Sequence, residues 1–97
     1  METRILAALQ IKFNVGEIVV TPAAAAILER NSLTVAALLA RHQAGDWGEV
    51  SEQTRMVNER GVGEQFNLQS IYVLGSGERL SVVTHGDRSL TMIHQEQ

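Results

Sequence analysis

The chain has 97 residues, a formal net charge of −3, 20% charged residues and no cysteine. That length suits one domain, 1–97, with a thin core, and the missing cysteine excludes disulfides, a thiolate metal site and a cysteine nucleophile. Acids and bases are interspersed without a basic run, so direct nucleic-acid binding is not expected.

Residues 1–12 place Ile5, Leu6 and Leu9 at helical spacing, with Lys12 in phase, which fits an N-terminal helix or arm. Val15-Gly16-Glu17-Ile18-Val19-Val20 predicts a short strand through its β-branched run. Thr21-Pro22 announces a helix, because threonine caps well and proline suits the first helical position. That helix runs through the alanines 23–26 to Arg30. Ser32 is the expected cap of a second helix ending near Gln43, with Gly45 as its left-handed stop. Ser51 is the expected cap of a third helix over 52–60, polar nearly all round except Met56 and Val57, with Gly61-Val62-Gly63 ending it.

The last third changes period. Gln69–Leu74, Arg79–Thr84 and Ser89–His94 read as strands joined by turns at Gly75-Ser76-Gly77-Glu78 and His85-Gly86-Asp87-Arg88. The expected fold class is α+β: a short N-terminal strand, two to three short helices, then a three-stranded antiparallel meander that the first strand can join.

No apolar run reaches the roughly 18 residues of a membrane span. The start Met1-Glu2-Thr3-Arg4 lacks the order of a secretory signal. A cytoplasmic chain without membrane association is therefore expected.

Two polar blocks stand out, His42-Gln43-Ala44-Gly45-Asp46-Trp47-Gly48-Glu49 and Thr84-His85-Gly86-Asp87-Arg88-Ser89. As plain architecture, His42 charges the end of the second helix and bonds its last carbonyls. Asp46 shapes a turn. Trp47 plugs the gap between helices and sheet with its N–H on a carbonyl, and Arg88 pairs with Asp46 or Asp87. As a binding surface, Trp47 is an exposed anchor in an interface. As a catalytic centre, His42 meets His85, an aspartate orients one imidazole, and Arg88 steadies a phosphate, the equipment of a metal-independent ribonuclease. A metal site from His42, His85, Asp46 and Asp87 is weaker, since no pair has helical ligand spacing. No Walker loop, Gly-x-Ser-x-Gly elbow or other cofactor motif is present, so no cofactor is expected.

Val19-Val20-Thr21-Pro22, Arg41-His42-Gln43-Ala44-Gly45-Asp46-Trp47-Gly48 and Gly86-Asp87-Arg88-Ser89 follow one another over 14–93. In order and spacing this stretch resembles a family of small proteins carried on bacterial plasmids and other mobile elements, often labelled as restriction-system related. The chain departs from that pattern where His85-Gly86 precede the Asp-Arg pair and where Thr54 replaces a helix acid, while Asn58 is kept. The resemblance implies an accessory role on a mobile element and no defined reaction.

The leading expectation is a non-enzymatic protein-binding module, an inhibitor of a host defence complex such as a CRISPR or restriction system, docking through Asp46, Trp47, Arg55, Asn58 and Arg88. The alternatives are the ribonuclease or toxin using His42 and His85, and a structural homodimer built on the free edge of the meander.

Overall fold

The computed structural model describes residues 11–96. The helix or arm expected over 1–12 lies almost wholly outside the described residues.

The elements follow one another as β1 (Glu17–Val20), α1 (Pro22–Arg30), α2 (Val35–Gln43), α3 (Glu52–Glu64), β2 (Leu68–Val73), β3 (Arg79–Thr84) and β4 (Leu90–Gln95). The fold is α+β, with one four-stranded mixed sheet in the order β1-β4-β3-β2. The expected antiparallel meander is present as β2, β3 and β4, but it is only part of a four-stranded mixed sheet. β2, β3 and β4 are joined antiparallel, and β1 adds to β4 in parallel, Val19 beside Met92.

Local chemistry sets the helix ends. The Thr21 hydroxyl accepts from the Ala24 amide, and Pro22 opens α1. Thr34, not Ser32, caps α2 by accepting from the Ala37 amide. Ser32 instead sits in the left-handed region at φ 54°, turning the chain between the helices. Gly45, at φ 87°, ends α2 as expected. Ser51 caps α3, accepting from the Thr54 amide.

α3 does not stop at Gly61. It continues to Glu64 and ends on Gln65 in the left-handed conformation. Gly61 is a packing residue there, because a Cβ would stand 2.7 Å from the Phe66 Cβ where the chain folds back.

Strand alternation gives the sheet two faces. Leu68, Ser70 and Tyr72 of β2, Leu80, Val82 and Thr84 of β3, and Thr91 and Ile93 of β4 are buried on the face toward the helices. Ala24, Ile27 and Leu28 of α1 and Leu38 of α2 close the main core against them. Each large aliphatic side chain buried this way contributes about 1.5–3 kcal/mol. A second cluster, Phe13, Trp47 and Leu68, seals the end of the sheet near α3. Among the described residues no single helix is long and apolar enough to cross a membrane; only α1 and α2 together, bent by 98°, reach that length and composition.

Candidate binding groove

The first polar block folds around a buried histidine. His42 is fully buried, and Phe13 and Trp47 flank its ring at centroid distances of 5.1 and 5.7 Å. Its Nδ1 lies 2.6 Å from the Ser70 hydroxyl and its Nε2 lies 2.9 Å from Thr84 Oγ1. Thr84 in turn meets Thr91 Oγ1 at 2.6 Å, and Thr91 donates to the Val15 carbonyl at 2.8 Å.

The terminal carbonyl can only accept, which fixes every proton in the chain. Thr91 gives its proton to Val15, so Thr84 gives its own to Thr91. Thr84 can then only accept from His42, so the ring is the Nε2–H tautomer and its Nδ1 accepts from Ser70. Burial, helped by the positive charge of Arg88, lowers the His42 pKa to about 4. The imidazole is neutral, and it does not charge the helix end.

This arrangement corrects the catalytic reading. Both ring nitrogens of His42 are occupied and the side chain has no exposed surface, so it cannot meet a phosphate. His85 stands exposed on the β3–β4 turn. Among the described residues no group of three or more His, Asp or Glu side chains is placed to hold a metal ion, so His42, His85, Asp46 and Asp87 do not assemble a site.

Most of the expected docking residues serve the architecture. Trp47 is 4% exposed, so it is not a surface anchor. It stacks with Phe13 and donates its indole N–H to Glu59 Oε2 at 2.8 Å, a carboxylate rather than a carbonyl. Asn58 is buried and donates to the Gln69 carbonyl at 2.7 Å while accepting the Gln69 amide at 3.1 Å. Arg88 pairs with neither Asp46 nor Asp87. Its guanidinium donates to the carbonyls of Gly61 at 2.8 Å and Phe66 at 2.8 Å, satisfying the end of α3. Asp46 pairs with Arg41 at 2.7 Å, and that guanidinium holds its carboxyl below the usual range. Arg55 is exposed and paired with Glu52 one turn away.

Gly48 shows how tightly the Trp47 loop meets the sheet. It has φ 73°, and a Cβ would stand 2.0 Å from the Ile71 carbonyl. That approach lets the Ile71 amide reach the Trp47 carbonyl at 3.0 Å and the Glu49 amide reach the Ile71 carbonyl at 2.6 Å.

The open surface lies on the other side of α3. A groove of about 420 Å³ runs between α3 and the solvent-facing side of β2 and β3. Val57 and Val83 give its apolar side chains, Gln53, Thr54, Asn58, Asn67 and Gln69 give its polar ones, and Leu68, whose side chain is buried in the core, also borders it. None of these side chains is ionisable. Asn58 is spent on the Gln69 backbone, Asn67 Oδ1 accepts from the Gly86 amide at 2.7 Å, and Gln69 Nε2 donates to Ser81 at 3.0 Å. The Asn67 amino group, the Gln69 side-chain carbonyl and the whole Gln53 amide have no hydrogen bond among the described residues. Beside the groove, Met56 is 61% exposed and Val57 is 45% exposed.

Of the expected residues only Asn58 lines this groove. Gln53, Asn67, Gln69 and Val83 were not anticipated. The available signal was the adjacent pair Met56-Val57 on an otherwise polar helix, which has no core face to bury two neighbouring apolar side chains. No protein-family model matches the chain, and no curated protein and no solved structure matches it.

Proposed function

We propose that this chain is a protein-binding module and that it docks through the groove between α3 and the outward side of the sheet. The observation that carries this reading is the uncharged lining, with unused amide donors and acceptors around apolar walls. Such a surface favours an uncharged segment of a partner protein, with an apolar side chain seated against Val57 and Val83 and polar backbone groups met by Gln53, Asn67 and Gln69. The volume falls in the range of roughly 300–1,000 Å³ typical of binding clefts.

The partner is a host defence complex, and the chain works as an accessory protein of a mobile element. This part of the proposal rests on the sequence resemblance alone. It is tested by affinity capture from a bacterial host with active restriction and CRISPR systems, using the wild type and two groove variants, Val57→Arg and Gln53→Ala. A stoichiometric defence protein retained by the wild type and lost with Val57→Arg supports both statements. A partner held equally by both variants removes the groove from the interface, and a partner of another kind removes the defence assignment.

A further inference from the structure

The two edges of the sheet are treated differently. At the β2 edge, Asn58 occupies both backbone groups of Gln69, and the Trp47–Glu49 loop occupies both of Ile71. Of the residues of β2 that turn outward, only Val73 is then left without a backbone partner among the described residues, so most of the meander's outer edge is covered. At the β1 edge, the Glu17 amide donates to the Ser89 carbonyl and the Thr21 amide to the Ile93 carbonyl, both at 3.0 Å. Alternation turns Ile18 and Val20 the other way. Their amides and carbonyls have no partner among the described residues. α1 packs over β4, and among the described residues no strand pairs with β1 on its other side. Between Ile18 and Val20 there is no charge, proline or bulge, the devices that blunt an edge strand.

We propose that β1 pairs antiparallel with β1 of a second copy about a two-fold axis at Val19, forming one eight-stranded sheet. In this register Ile18 lies opposite the partner's Val20, Val19 opposite the partner's Val19, and Glu17 opposite the partner's Thr21. The two pairs formed by Ile18 and Val20 are the hydrogen-bonded ones and Val19 is the non-hydrogen-bonded centre. Every outward amide and carbonyl of Ile18 and Val20 in both copies is then satisfied, and no like charges face each other. A second copy fits better than an unrelated strand because this short segment complements itself about its own midpoint. Since most of the opposite edge is covered by Asn58 and the Trp47–Glu49 loop, addition should stop at two copies without growing a filament. Val83, Met92 and Val19 form one row across the outward face. The axis would continue that row into the partner copy and set both grooves on the same side.

The test is sedimentation equilibrium of the full chain from about 1 μM to about 1 mM, with Val19→Glu, Val19→Lys and their equimolar mixture. Val19 is on the outward face and only partly buried, so a long charged side chain can reach solvent in the monomer, and circular dichroism checks that the fold is kept. The wild type should rise from 10.6 kDa toward twice that mass. Each variant should stay at 10.6 kDa because like charges meet at the axis. The mixture should associate at least about ten-fold more tightly than either variant alone. A wild type that remains monomeric throughout overturns the proposal. So do variants that associate like the wild type, or a mixture no tighter than its components.

Discussion

The Asn58 carboxamide holds both the amide and the carbonyl of Gln69, at 3.1 and 2.7 Å, as a neighbouring strand would. One side chain on a helix thus ties α3 to the sheet and closes part of the β2 edge.

Replacing Asn58 with alanine should cost about 1–3 kcal/mol, because a buried backbone pair loses its partners. Asn58→Asp should cost more, since a carboxylate would face the Gln69 carbonyl with no donor. Denaturant unfolding gives the stabilities. Amide exchange should quicken at Gln69 in both variants, and unchanged exchange there would mean that the edge is held by other contacts.

His42 predicts an acid-sensitive fold. Its folded pKa of about 4 lies below the ordinary 6.5, so between those values the unfolded chain binds a proton that the folded chain refuses. Stability should fall as pH drops from 6.5 toward 4, by about 3 kcal/mol in total. His42→Gln should be less stable at pH 7 yet lack this part of the slope. The check is unfolding midpoint against pH for both proteins; parallel curves would contradict a buried neutral imidazole.

Arg88→Ala should destabilise by about 1.5–3 kcal/mol, the range for hydrogen bonds to a charged group. Arg88→Lys should recover little, because one ammonium cannot span the Gly61 and Phe66 carbonyls as a planar fork does. A partner-binding role would instead leave stability unchanged on Arg88→Ala, so thermal unfolding separates the two.

Two glycines should respond in opposite directions to alanine. Gly63 is within α3, and nothing lies within 4 Å of its added Cβ. Gly63→Ala should stabilise by about 0.5–1 kcal/mol. Gly48→Ala would drive a methyl into the Ile71 carbonyl and should displace the Trp47 loop, seen as a change in tryptophan fluorescence.

The elements were legible where local chemistry decides them. Thr21-Pro22, Ser51 and Gly45 mark helix ends through their own backbone preferences, and the strand positions follow from alternation. The misread boundaries have tertiary causes. Gly61 reads as a helix stop, yet it is there to admit Phe66, and Ser32 reads as a cap although Thr34 supplies the hydroxyl.

The site was less legible for the same reason. Histidine, tryptophan and arginine in polar loops carry the composition of a surface site, but whether they face water depends on Ser70, Thr84 and Phe66, far away in sequence. Conversely, the groove is lined by ordinary amides and valines that only the crossing of α3 over the sheet brings together. The parallel place of β1 beside β4 also has no local signal.

That last pairing orders events during synthesis. Glu17 is made early, yet its strand partner begins at Leu90. β1 must wait until nearly the whole chain has emerged, and β4 must then bond on both sides at once, to β3 and to β1. Contacts so distant in sequence form slowly. A chain shortened by its final strand would lose the centre of its sheet rather than an edge, leaving two fragments of β structure with nothing between them.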